Sequence, residues 1–178
     1  MSNKNVNWKQ ISITSLVVII SLSFIFYSQW TSRTNMYIKS NSTLVDHLVS
    51  LKLDIQYYMD EDDFDPKRLN KAYVHSKAIL NQSSIYELYY RNQLGKDLTD
   101  NFRSIFATPY IEPDNPDKEI LQNKLQDLEF IIQAISSGEM EIKYASRHSL
   151  IPSNPFTKER MEDVLEVTET IVNSNNEF

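Results

Sequence analysis

The chain contains no cysteine and only two glycines among its 178 residues. Without cysteine it can form no disulfide, no cysteine-ligated zinc site, no catalytic thiolate and no lipid attachment through sulfur. Glycine is needed for turns with positive φ and for loops that cradle nucleotide phosphates. Its scarcity therefore favours long helices joined by few connections and argues against nucleotide-binding folds.

Basic residues are also in short supply. Lys4 and Lys9 are the only charged side chains before Arg33, so the rest of the chain carries 16 basic against 24 acidic side chains, a net charge of −8. Nucleic-acid affinity depends on neutralising phosphates with lysine and arginine. We therefore expect no binding to DNA or RNA.

Residues 10–32 form a long uncharged stretch. As a helix they would reach roughly 34 Å, which covers a hydrocarbon core of about 30 Å. Trp8 precedes the stretch, and Tyr27 and Trp30 lie at its far end, where interfacial aromatic residues are expected. A buried helix of a soluble protein would normally keep a polar stripe, but this stretch is apolar all round in places. We predict a transmembrane signal-anchor over residues 10–32.

A cleaved signal peptide is the alternative for this stretch. Cleavage requires small residues at −3 and −1, and residues 26–32 offer no such pair, so an uncleaved anchor is favoured. The basic residues Lys4 and Lys9 precede the span, which by the positive-inside rule predicts a short cytoplasmic tail over residues 1–9. The chain is then expected to cross the cell membrane once, with its C-terminal part outside.

Beyond the anchor, apolar residues recur at steps of four and three, which is typical of helices. The first stripe is not separated from the anchor by any helix breaker, so this helix is expected to continue the transmembrane one; it contains Leu44, Leu48, Leu51, Ile55 and Tyr58. Asp65 followed by Pro66 predicts the start of a second helix. That helix would run through Leu69, Tyr73, Leu80, Tyr86 and Tyr90 and stop at Gly95. A short third segment spans residues 98–106.

Asn115-Pro116 and Asn154-Pro155 predict the starts of two more helices. Their apolar stripes are Leu121, Leu125, Leu128, Ile132 and Ile135, closed by Gly138, and then Met161, Val164, Leu165, Thr168, Ile171 and Val172. Residues 140–144 fit either a brief strand or a helical turn. The predicted fold is all-α: one N-terminal transmembrane helix, then an extracytoplasmic antiparallel bundle over residues 33–172 with about four long helices plus a short one. Residues 173–178 are expected to be a frayed tail.

Two groups of residues could suggest metal binding. The acidic run DEDDFD begins at Asp60, but an EF-hand needs glycine at its sixth position and glutamate at its twelfth, where this sequence has Asp65 and Lys71. The histidines, at 47, 75 and 148, have no histidine or cysteine three or four residues away with which to form a helical metal pair. At position 47 a satisfied surface imidazole is expected. The sequence predicts no metal site, no cofactor and no catalytic residue.

The segment IYELYYRNQL places Tyr86, Tyr89 and Tyr90 on one face of a helix. Tyrosine is enriched at interfaces because its ring buries area while its hydroxyl remains hydrogen-bonded. We identify these three residues as a candidate partner-binding face. The alternative is a bundle core whose tyrosines direct their hydroxyls to the rim.

These observations predict a single-pass protein of the cell envelope, held in the lipid bilayer through residues 10–32. Its helical domain is expected to serve protein–protein interaction or scaffolding with a protein partner, and not to be an enzyme, because no catalytic motif is present. Two alternatives remain open. One is a ligand-binding sensor domain, and the other is an envelope hydrolase that uses acidic residues and a histidine.

Overall fold

A computed structural model describes residues 8–60, 66–106, 117–136 and 156–175. Every regular element within these ranges is an α-helix, which confirms the predicted all-α class for this part of the chain. The alternating segment at 140–144 lies outside the described residues. The helices are α1 (Trp8–Asp60), α2 (Pro66–Gln82), α3 (Ile85–Tyr90), α4 (Gln93–Phe106), α5 (Lys118–Ser136) and α6 (Lys158–Asn175).

Helix α1 is a single unbroken helix of 53 residues. No proline or glycine occurs between Trp8 and Asp60, so nothing in the sequence interrupts it. Its N-terminal half is long and apolar enough to cross a bilayer, and none of its most apolar window is covered by protein. Its C-terminal half lies in the bundle. The prediction that the first bundle helix continues the apolar stretch is therefore confirmed.

The core of the bundle is built on the C-terminal half of α1. Leu44, Leu48, Leu51 and Ile55 are completely buried, as the four-three spacing predicts. Helices α2, α3 and α5 pack against α1, while α6 joins α4 to α5 and so closes the bundle. The pairing of Asp54 with Arg68 and of His47 with His75 shows that α1 and α2 are antiparallel.

Helices α5 and α6 present nearly the predicted faces. In α5 the fully buried residues include Ile131, whereas Leu125 and Ile132 are only half-buried, so the inward face is turned slightly from the predicted stripe. The completely or almost completely buried residues of the two helices are Leu121, Leu128, Ile131, Ile135, Met161, Val164, Thr168 and Ile171.

Side chains immediately before these helices cap them. Asp117 Oδ1 accepts the backbone N–H of Glu119 at 2.9 Å, and Thr157 Oγ1 accepts that of Arg160 at 3.4 Å. The helices thus begin two to three residues after the predicted Asn-Pro pairs, which lie outside the described residues, as does Gly138. Pro66, by contrast, is the first residue of α2 as predicted.

The predicted second helix, running to Gly95, is wrong. Helix α2 ends at Gln82, where the hydroxyls of Ser83 and Ser84 donate to the carbonyls of Leu80 and Asn81 and compete with helical bonding. Tyr73, placed in the predicted stripe, is 37% exposed.

The chain breaks a second time between α3 and α4. Arg91 ends α3 in a left-handed conformation with φ 51°. Asn92 then caps α4, its Oδ1 accepting the N–H of Gly95 at 3.2 Å. Gly95 therefore lies in the first turn of α4 rather than at the end of a helix.

Gly95 is where α4 approaches α3 most closely, which yields a prediction for Gly95→Ala. An added Cβ would lie 2.5 Å from the carbonyl oxygen of Tyr86, a backbone atom that can move only with α3. Alanine gains about 0.5–1 kcal/mol of helix propensity, but overpacking typically costs about 1–3 kcal/mol. We expect a lower Tm by circular dichroism in detergent, with Ser104→Ala on the exposed side of α4 as control. Equal melting of both variants would contradict this packing.

Leu128→Asp tests the inward face of α5. Leu128 is completely buried, so the substitution would place an unpaired carboxylate in the core, at a cost of about 3–5 kcal/mol. Ile120→Asp, at an exposed position of the same helix, is the matched control and should change stability little. Urea unfolding followed by circular dichroism measures both. If Leu128→Asp unfolds at the same urea concentration as the parent, this face does not pack inward.

Candidate functional site

The three tyrosines predicted to bind a partner lie together, against α1. Tyr86 is completely buried, and Tyr89 and Tyr90 are half-buried. The ring of Tyr37, on α1, stacks on that of Tyr89 with centroids 3.7 Å apart, and its hydroxyl lies 3.0 Å from that of Tyr90. This packing resembles the core alternative. Only Tyr89 and Tyr90 retain a surface that another molecule could contact.

The hydroxyls of Tyr37, Tyr86 and Tyr90 remain protonated at neutral pH. Burial raises the pKa of Tyr37 and of Tyr86, and it raises the pKa of Tyr90 to about 12 even though the Tyr37 hydroxyl acts in the opposite direction. The Tyr86 hydroxyl and Asn41 Oδ1 are buried and make no hydrogen bond within the described residues. Tyr37, Tyr86 and Tyr90 thus form a neutral, polar region inside the bundle that can hydrogen-bond but does not supply a phenolate base.

Arg33 holds the end of α3 against α1. Its Nη2 donates to the carbonyl of Leu88 at 2.9 Å and also to the carbonyl of Tyr89, and its guanidinium lies 5.5 Å from the centre of the Tyr89 ring. The last carbonyls of a helix have no partner within it, so these bonds satisfy groups that would otherwise need water. Spacing along the chain gave no indication of this contact.

A second cluster of functional groups joins α1 to α2. His47 Nδ1 and His75 Nδ1 lie 3.0 Å apart, and both side chains are half-buried. His75 Nε2 lies 3.7 Å from Asp54 Oδ2, and Arg68 Nη1 lies 3.5 Å from Asp54 Oδ1. The imidazole of His47 is satisfied, as expected, but by a histidine 28 positions away that sequence spacing did not associate with it.

Both contacts follow from one helical register. The His47–His75 and Asp54–Arg68 pairs are each centred on position 61. The helix ends alone, Asp60 and Pro66, place the centre of the hairpin at position 63. Moving the centre of the hairpin by two positions shifts the partner of each α1 residue by four residues along α2, about one helical turn. Sequence symmetry about the acidic connection would thus have found the histidine pair only to within a turn.

The contact with His47 affects the protonation of His75. Burial lowers the pKa of His75. The neighbouring His47 and Lys71 lower this pKa further, whereas Asp54 raises it. Only one of the two facing Nδ1 atoms can carry the shared hydrogen, so charging both rings would bring like charges together. Among the described residues, no three His, Asp or Glu side chains come close enough to hold a metal ion. The Asp60–Asp65 run falls mostly outside those residues.

Comparisons of the chain with protein-family models, with curated proteins and with solved structures found no match.

Stability should fall as acid protonates His75. The pKa of His75 in the folded protein lies below its ordinary value of 6.5. At a pH below 6.5 the unfolded chain therefore binds more protons at His75 than the folded chain does, and acid favours unfolding. The contribution of neutral His75 to the free energy of unfolding is complete above pH 6.5 and is lost progressively below it. We expect Tm to decrease between about pH 7.5 and 5.5, and to decrease less in His75→Gln. His148→Gln is the control; if it flattens the profile equally, the histidine pair is not responsible.

Proposed function

We propose that this chain is a single-pass membrane protein whose helical domain lies on the outer side of the cell membrane and serves protein–protein interaction or scaffolding in the envelope. The observation that carries the proposal is the composition of α1. One half is apolar and uncovered, and the other half forms the centre of a packed bundle.

The uncovered half of α1 supports a lipid environment on energetic grounds. Eleven Ile, Leu, Val and Phe side chains between Ile11 and Phe26 are exposed. Burying one such side chain completely is worth about 1.5–3 kcal/mol, so together they represent on the order of 10–20 kcal/mol that a bilayer would recover. A core helix of a soluble protein would have these side chains covered by its own fold.

The continuity of α1 supports a role that couples the membrane to the outer domain. An unbroken helix transmits rotation or displacement along its axis, because each turn is bonded to the next. In this protein the same helix supplies the buried seam of Leu44, Leu48, Leu51 and Ile55. A partner bound to the domain and a change in the membrane segment would therefore affect one another, which suits an accessory subunit or scaffold.

Membrane integration and topology provide the first test. A reporter fused after Phe178 should be active outside the cytoplasm, and the protein should resist alkaline extraction from membranes. Each arginine placed near the centre of the span costs about 2.5–3.5 kcal/mol, so Ile19→Arg with Leu22→Arg should increase the fraction of protein released by alkaline extraction. Met36→Arg, at an exposed position beyond the span, is the control. A mature N-terminus at or beyond Ser28 would instead support a cleaved signal peptide.

The partner-binding role of the tyrosine face requires a different test. A photo-crosslinking residue at position 89, which is half-buried, should capture another protein in intact cells, whereas one at the fully buried position 48 should react only within the chain. The same products at both positions would remove this face from the proposal. A small molecule that copurifies in place of a protein would favour the sensor alternative.

A further inference from the structure

Helix α3 and its turn into α4 lie at the end of the bundle nearest the uncovered apolar half of α1. Arg33 is the first charged residue after the uncharged stretch 10–32, and it donates directly to the carbonyls of Leu88 and Tyr89. The Tyr37 ring stacks on Tyr89 at 3.7 Å. Arg33 and Tyr37 are four residues apart, about 6 Å along the helix axis.

That separation is comparable to the depth of a lipid headgroup layer. A bilayer with a core of about 30 Å measures about 40–45 Å with its headgroups, which leaves roughly 5–8 Å on each side. If the hydrocarbon core ends at residue 32, the C-terminal end of α3 is level with the headgroups. On that condition, the contacts of Arg33 with the end of α3 bring this part of the domain within reach of the membrane surface.

The side chains exposed there suit such a surface. Leu88 is 59% exposed, and Arg91 and Lys96 are exposed beside it around a shallow depression of about 450 Å³. Glu87 is the acid in its lining. Nearby Asp97 accepts a hydrogen bond from Gln93 Nε2 at 2.5 Å. Two bases against one acid in this lining contrast with the net charge of −6 of the whole chain.

We propose that the α3–α4 turn docks on lipid headgroups, with Leu88 entering the interface and Arg91 and Lys96 binding headgroup phosphates. The inference rests on the proposed membrane anchor. Arginine and lysine both bind phosphate oxygens through charge-assisted hydrogen bonds, and an anionic membrane surface attracts such residues. Moving the exposed Leu88 side chain from water into an apolar environment lowers the free energy.

Docking would hold the domain to the membrane at a second point besides α1. With α1 as the only attachment, the bundle could tilt with the transmembrane helix. With the turn also bound, the direction of α1 relative to the surface is defined. Membrane charge would then influence the orientation in which the outer domain presents its remaining faces to a partner.

Because the chain contains no cysteine, a single introduced cysteine can be labelled site-specifically. The full chain with Leu88→Cys is labelled with an environment-sensitive fluorophore and reconstituted in vesicles whose lipids carry a nitroxide on the headgroup. Val74→Cys, which is 61% exposed on α2, is the control. By the register centred on position 61 it lies level with residue 48, roughly 22 Å farther along α1 than Arg33.

We expect quenching several-fold stronger at position 88 than at position 74. In vesicles of equal parts phosphatidylcholine and phosphatidylglycerol, adding Arg91→Glu with Lys96→Glu should reduce the quenching at 88 to near the control. Flotation of the same vesicles tests the anchor separately: failure of the chain to integrate would defeat the proposed function. Integrated protein with equal quenching at both positions, or a position 88 that is shielded from water but not quenched, would overturn the docking proposal. So would quenching at 88 that the charge reversal leaves unchanged.

Discussion

The register of α1 against α2 and α3 is the constraint on which the rest of the structure depends. Polar contacts recur along α1 at multiples of seven residues: Arg33 with the carbonyl of Tyr89, His47 with His75 and Asp54 with Arg68, all centred on position 61. They flank the buried seam, as polar residues do beside the apolar seam of a coiled coil. Each of these contacts has at least one partly exposed partner and adds little free energy, so the seam provides most of the stability and the flanking pairs select the alignment.

Maintaining this register past the end of α2 explains the short helix α3. The break at Ser83 and Ser84 lets the chain turn, yet α3 remains centred on the same position of the hairpin. Ser83 remains tied to α4, because its carbonyl accepts the hydroxyl of Thr99 at 3.2 Å, and Gly95 permits α4 to touch the backbone of Tyr86. The Ser83 carbonyl at the break is thus satisfied by the Tyr86 N–H and by the Thr99 hydroxyl of a neighbouring helix, as buried backbone requires.

The tyrosine cluster shows that one sequence pattern is compatible with either a solvent-exposed face or a buried face of a helix. Tyr86, Tyr89 and Tyr90 share a helical face in the sequence, and that face could have been turned to solvent. In the structure it packs on Tyr37, with the ring of Phe156 at 6.3 Å from that of Tyr37. Leu88, between these tyrosines in the sequence, faces outward instead. In a short helix with apolar residues on most sides, the sequence does not define which face is buried. Packing against the neighbouring helices decides it.

By itself the sequence determined the local features, because these depend on residues within one or two turns. They include the unbroken α1, the buried positions of its seam, the proline start of α2 and most of the inward faces of α5 and α6. The tertiary structure alone decided which distant side chains meet: His47 with His75, Arg33 with the end of α3, and Tyr86 with the core. The physical reason is the helical repeat. Sliding α2 along α1 by one turn keeps every apolar stripe facing inward but exchanges all the partners, so the stripes predict burial and cannot predict the pairs.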